Sequence, residues 1–326
     1  MGPLLSSGKR PPGADYAQRA TFRPSRGRAL EKVMTPPRDA GPRVPIEWAF
    51  EAIEAFVGHD SVSSRTILRV RDGQRVEADD WIVVEEPLEI RVDGASIAVI
   101  MRTPGHDLEL AAGFALTEGI ARSASDIGTL RQCRSGPEGG ESLNVVDIGL
   151  APGVSFRTDS LRRNLIASAA CGLCGKASLE ALATQARRID STVRVSREVL
   201  QALPDRLRRS QPSFERTGAL HAAGLFEAGG ALRVCREDVG RHNAVDKVIG
   251  RCLLDGARLD EAVLLVSGRT SFEILQKAAV AGIPVVCAIS GPTTLAIETA
   301  RAFNITLVNF LRGRGMNIAA GAERIV

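Results

Sequence analysis

Between residues 262 and 310 the chain alternates between two hydrophobic periods, and this alternation limits the possible folds more than any other feature. Ala262–Val266, Pro284–Ile289 and Ile305–Phe310 are apolar runs of strand length. Phe272–Ala281 and Thr293–Phe303, which lie between them, carry apolar residues at helical spacing. Strands that alternate with helices across short loops build parallel βαβ units, with the sheet buried beneath the helices.

The segments upstream extend this α/β reading. Ala219–Phe226 and Leu232–Cys235 flank Gly229-Gly230 and read as a hairpin. Residues 240–254 (GRHNAVDKVIGRCLL) predict a helix whose apolar stripe is Val245, Val248, Ile249, Cys252 and Leu253. Earlier still, Trp81–Val84, Leu88–Val92 and Ala95–Met101 read as strands, with Asp93-Gly94 turning between the last two. His106–Leu116 has helical spacing, residues 134–142 form a polar loop, and Asn144–Ile148 is another strand. Residues 47–57 read as a short helix or an irregular lead-in. The domains expected are a tail over 1–45, a smaller β-rich subdomain over 46–150 and an α/β subdomain over 151–326.

Charge separates the tail from the body. Residues 1–45 hold nine basic and three acidic residues and eight of the 16 prolines. The tail is therefore net +6, and the remainder of a chain whose net charge is +4 is net −2. A segment so polar cannot bury enough apolar surface to offset its ordering entropy, so disorder is expected there. The slightly acidic body gives no support for nucleic-acid binding. With no apolar h-region and no run of about 18 apolar residues, the sequence predicts neither a signal peptide nor a membrane span. A cytoplasmic location follows as the expectation, with the six cysteines reduced.

The sharpest local motif is Cys171-Gly-Leu-Cys174-Gly-Lys176. Neighbouring amides and the Lys176 ammonium lower a thiol pKa and raise the thiolate fraction. That suits dithiol redox chemistry, metal binding or carriage of sulfur as a persulfide. Zinc fits poorly, because structural sites use four ligands, often two CxxC pairs, and the other cysteines stand alone. A deaminase-type site needs H-x-E upstream of P-C-x-x-C. Here Ala170 precedes Cys171, and in His106-Asp-Leu-Glu109 the Glu comes one place late. Cys133, Cys235, Cys252 and Cys287 read as small core residues.

Three loops follow the three C-terminal strands: Ser267-Gly268-Arg269-Thr-Ser271, Ser290-Gly291-Pro-Thr-Thr294 and Arg312-Gly313-Arg314-Gly315. In a parallel sheet they gather at one edge, where open α/β folds bind ligands. Amides and hydroxyls at helix starts receive phosphate, and the arginines add charge-assisted bonds. Ser/Thr caps and Gly turns are also what any βα loop uses. A further polar cluster runs from Glu237 to Lys247, in which His242 and Asp246 stand i, i+4 beside Arg241 and Asn243. Only five lysines occur against 37 arginines, and the three outside the tail, Lys176, Lys247 and Lys277, all fall in these segments. The lone His106 and His221 read as structural.

Seven segments together resemble the FdhD family of formate dehydrogenase accessory sulfurtransferases. They are EEPLEI from Glu85, MRTPG from Met101, NLIASAACGLCGKASLE from Asn164, DVGRHNAVDKVIG from Asp238, SGRTSFEILQKAA from Ser267, SGPTTLAIETA from Ser290 and NFLRGRGMNI from Asn309. The resemblance spans roughly residues 80–320. It implies a cytidine deaminase-like three-layer α/β/α core without the zinc site, and a homodimer. It also implies a sulfur carrier that takes persulfide sulfur from a cysteine desulfurase and passes it to the bis-molybdopterin guanine dinucleotide molybdenum cofactor of formate dehydrogenase. Cys171 matches the family's persulfide cysteine and Cys174 its second motif cysteine. Phe310, Leu311, Arg312, Gly313, Arg314 and Gly315 match its cofactor-binding stretch. Ser267, Gly268, Arg269, Ser290, Gly291, Arg241 and His242 complete the expected binding edge. Ala319 departs from the family, which often has Tyr there. The alternatives are a cofactor-binding chaperone without sulfur chemistry and a zinc-dependent deaminase-like enzyme.

Overall fold

The structure, a computed structural model, describes residues 61–135, 142–156, 179–180, 182–183 and 185–326. The chain divides into units 1–45 and 46–326, and every described residue belongs to the second. The expected tail, the 47–57 lead-in and the Cys171–Lys176 motif lie outside the described residues.

β1 (Val62–Arg71) and β2 (Gln74–Val83) form an antiparallel ribbon around Asp72-Gly73, both with positive φ as a two-residue turn requires. The sequence reading placed only Trp81–Val84 here. The ribbon leaves both faces largely in water, with Leu68, Val70 and Val76 exposed, so it has no alternation of apolar and polar residues to read.

β3 (Glu86–Val92) and β4 (Ala95–Arg102) turn at Asp93-Gly94 as expected. With β5 (Ile127–Ser135) and β6 (Ser142–Leu150) they make a four-stranded sheet in the order β4-β3-β6-β5. Helix α1 (Asp107–Thr117) lies on it, burying Leu110, Ala111, Phe114 and Ala115 against Leu88, Ile90, Val146 and Ile148. Because α1 is also covered on its opposite side, it is apolar nearly all round and lacks a polar face.

The second sheet has six strands, ordered β12-β11-β10-β9-β7-β8. Its elements follow α2 (Arg197–Arg209) and α3 (Pro212–Thr217): β7 (His221–Phe226), β8 (Leu232–Asp238), α4 (Arg241–Leu254), β9 (Val263–Val266), α5 (Phe272–Ala281), β10 (Val285–Ala288), α6 (Thr294–Phe303), β11 (Thr306–Arg312) and β12 (Gly315–Ala320). β9, β10 and β11 are parallel neighbours, as the alternating pattern predicts, and antiparallel strands flank them.

Successive strand residues point to opposite faces, and both faces are covered. Leu264, Val266, Val286 and Leu307 pack under α4, α5 and α6. Val263, Leu265, Val285, Cys287 and Val308 pack against Leu200, Leu203 and Leu207 of α2. The result is a three-layer helix–sheet–helix core.

The four-stranded half locks onto this core through α1 and α4. The two helices cross at Gly113 and Gly250. A Cβ at Gly113 would stand 1.9 Å from the Asp246 carbonyl oxygen, and one at Gly250 would stand 1.8 Å from that of Glu109.

Candidate functional site

The sheet topology brings chain ends to one edge. β9, β10 and β11 finish there, β7 begins there, and β8 runs out into α4. Backbone bonds stitch the loops together: Thr270 N–H donates to Gly291 O (3.2 Å), Thr293 N–H to Thr270 O (3.0 Å) and Phe310 N–H to Ser290 O (3.1 Å). Asn309, fully buried on β11, ties all three segments, its Nδ2 donating to Thr270 Oγ1 at 2.9 Å and to Ser290 O at 3.4 Å. The expected convergence of Ser267–Gly268–Arg269, Ser290–Gly291 and the 310–315 stretch is what the structure has.

Individual residues divide by role. Phe310 is exposed and holds φ at +53°, an unfavourable value for an aromatic residue. Its ring lies so close to Gly291 that a Cβ there would be 2.7 Å from the ring. The Arg312 guanidinium sits 5.7 Å from the same ring centroid. Arg269 and Arg314 are exposed, Gly313 and Arg314 form the hairpin turn before Gly315 opens β12, and the Arg314 carbonyl accepts from Gln201. Leu311 differs from expectation: strand alternation turns its side chain wholly into the core, so only its backbone faces the edge. The Ser267 hydroxyl accepts from Ala222 N–H at 2.9 Å and so holds the loop.

At the start of α4, Arg241 and His242 face the edge, and the rest of the polar cluster is internal. Asp238 accepts from Gly240 N–H and Asn243, and pairs with Lys247 at 2.7 Å, both charges fully buried. Lys247 and Asp238 also bond to Thr103 of the MRTPG segment, and Asn243 to Met101 O. Asp246 pairs with Lys277 at 2.9 Å and accepts from Thr117. His242 and Asp246, expected to share a face, thus serve different ends. Lys247 and Lys277 are framework charges, each a compact ammonium in a closed polar cage.

His242 Nε2 lies 3.4 Å from Glu273 Oε2, and Ser271 Oγ donates to the same carboxylate at 2.7 Å. The His242 contact, opposed by burial and joined by Ser271, holds Glu273 at about 2. His221, Glu273 and Asn309 were not anticipated at this edge. No spacing flags them, because the sheet brings them together from separate strands and loops.

Two buried side-chain atoms lack any hydrogen-bond partner among the described residues: Arg241 Nε and Asn309 Oδ1. Both belong to this edge. Buried polar atoms are ordinarily paired, so an orphaned donor and an orphaned acceptor at one place mark a site that a polar ligand completes. Nor does Arg241, Arg269, Arg312 or Arg314 form an ion pair among the described residues. Elsewhere the framework cations are matched, as Arg102 is by Asp107 and Arg236 by Glu109. The edge is therefore a positive surface with hydrogen-bonding capacity to spare, suited to phosphate groups and a planar ring.

Three of the described thiols are held as poor nucleophiles. Burial pushes Cys287 up to about 12, burial and Glu237 push Cys235 to about 12, and burial and Asp255 push Cys252 to about 11. Cys287 and Cys252 are buried as expected, and Cys133 and Cys235 are partly so. Cys171 and Cys174 lie outside the described residues.

The sequence matches the profile of the FdhD/NarQ family over residues 83–326. The sulfur carrier protein FdhD of Streptomyces avermitilis is 51% identical over 266 residues, covering 80% of this chain and 94% of the relative. That of Mycobacterium tuberculosis is 46% identical over 272 residues, covering 81% and 99%. Among solved structures, a putative formate dehydrogenase accessory protein from Desulfotalea psychrophila superimposes with a TM-score of 0.65 at 25% identity, covering 82% of this chain and all of that one.

Proposed function

The chain belongs to the FdhD/NarQ family, and on that premise we propose that it is a sulfur carrier serving the maturation of formate dehydrogenase. In this reading it acts in the cytoplasm as a homodimer. The Cys171 thiolate attacks the outer sulfur of a cysteine desulfurase persulfide. A new S–S bond forms on Cys171, and the donor cysteine leaves as thiolate. Delivery at the oxidation level of sulfide takes two electrons. Only once the acceptor is bound does Cys174 supply them, by attacking the Cys171 sulfur, so that a disulfide forms and hydrosulfide leaves toward the acceptor.

The acceptor is the molybdenum of bis-molybdopterin guanine dinucleotide, held as cargo at the loop edge. Arg241, His242, Arg269, Arg312 and Arg314 face its phosphates, and Phe310 offers a ring for guanine to stack on. The observation that carries this assignment is the pair of atoms without a hydrogen-bond partner among the described residues, Arg241 Nε and Asn309 Oδ1, within a cluster of arginines that form no ion pair among those residues.

Cells that carry the Cys171→Ala/Cys174→Ala double variant as their sole copy test the sulfur half of the reading. Loss of formate dehydrogenase activity is expected. Full activity would favour a cofactor-binding chaperone without sulfur chemistry.

A further inference from the structure

His221 stands at the edge between groups that do not neutralise it. It opens β7, directly across from Asp238 in the β-ladder. From α4 it is faced by Arg241 and His242, and from β8 by Asp238, whose carboxylate is already engaged by Lys247 at 2.7 Å. His242 has its own counter-ion in Glu273. From the β9–α5 loop it is faced by Gly268, which is buried and without a side chain. A Cβ at Gly268 would stand 3.4 Å from His221 Nδ1 and 3.3 Å from Arg241 Cδ. The bare backbone of Gly268 is thus the floor between an imidazole and a guanidinium whose Nε has no partner among the described residues.

Resting on the loop-edge reading above, we infer that His221 is a proton-linked contact for a phosphoryl group, seated with Arg241 over Gly268 and binding the diphosphate of a guanine nucleotide. Burial first and then the neighbouring Arg241 and His242 charges lower the His221 pKa, and Asp238 opposes them. A bound diphosphate reverses the sign of that field and favours the imidazolium. Binding therefore takes up a proton, and affinity rises as pH falls. No sequence spacing announces this role, because His221 is a lone histidine at a strand start.

The probe is GDP-mannose, whose diphosphate diester does not itself titrate between pH 6 and pH 8. Calorimetry on the full chain should show binding several-fold tighter at pH 6 than at pH 8, within the tenfold ceiling that one unit of pKa rise on binding sets. In His221→Gln that dependence should be diminished. Histidine NMR of the wild type should show the His221 titration moving to higher pH on saturation, and it decides the matter if the variant does not fold. Equal affinity at both pH values, an unmoved His221 titration, or an undiminished pH dependence in His221→Gln would each overturn the proton linkage and leave the nucleotide site standing. Failure of the wild type to bind GDP-mannose at any pH would remove the loop-edge reading itself, and this inference with it.

Discussion

Gly113 of α1 and Gly250 of α4 face each other where their helices cross, so closely that a Cβ on Gly250 would stand 2.6 Å from Gly113 N. This contact joins the four-stranded half to the core whose loops form the candidate site. A methyl group there meets backbone rather than a flexible side chain, so the helices must part. Gly250→Ala should cost about 3 kcal/mol, at the upper end of what overpacking costs. An unchanged urea midpoint would show that the crossing is looser than described.

Lys277 reaches from α5 to Asp246 at 2.9 Å and Glu118 at 3.2 Å. Burial works against its charge, but the two carboxylates overcome this and hold its pKa above the ordinary lysine value. Lys277→Met leaves those carboxylates without their cation and should cost about 3–5 kcal/mol. Adding Asp246→Leu should restore much of that loss, which chemical denaturation of the single and double variants measures. If the double variant is as unstable as the single one, the ion pair is not the source of the loss.

Glu109 links the two halves through Arg236, with bonds of 2.5 and 2.8 Å. Burial pushes its carboxyl up, but Arg236 and then His106 outweigh burial and hold it at about 2. Its folded value lies below the unfolded one, so its contribution is complete above the ordinary glutamate range and fades as pH falls toward 2. Over that range the loss is about 3 kcal/mol. Glu109→Gln should flatten the acid limb of a stability–pH profile below about pH 4.5. A variant with the wild-type slope there would contradict this role.

Phe310 keeps a left-handed backbone that glycine adopts freely. Relief of that strain and the added freedom of the unfolded chain offset each other, so Phe310→Gly should leave stability within about 1 kcal/mol. Removing the ring should nevertheless weaken GDP-mannose binding about tenfold, as loss of one stacking partner does. Gly291→Val, which drives a side chain into the same ring, should weaken binding similarly. Undiminished affinity in both variants would mean that the ring is not a platform for the base.

The βαβ run and the gathering of its three loops were legible in the sequence because buried parallel strands and their covering helices have distinct periods. Other elements left fainter marks. β12 was read only as the end of a Gly-Arg loop, because its residues are largely exposed and carry no apolar alternation. α2 has the helical spacing Leu200, Leu203, Leu207, but Pro204 within it obscures the pattern. Within the Glu237–Lys247 cluster, from which the sequence reading takes only Arg241 and His242 as site residues, burial assigns Asp238, Asn243, Asp246 and Lys247 to the framework and leaves those two at the edge. Burial is a property of the assembled fold, and residue types alone do not encode it. For the same reason Asn309 and His221, ordinary in sequence, come to the loop edge only because β7 and β11 meet there.

Intact-protein mass spectrometry after incubation with a cysteine desulfurase and cysteine reads directly whether Cys171 carries sulfur, as proposed. A mass gain of one sulfur atom that reductant removes is expected in the wild type and Cys174→Ala, with none in Cys171→Ala. No gain in the wild type, or the same gain in Cys171→Ala, would contradict it.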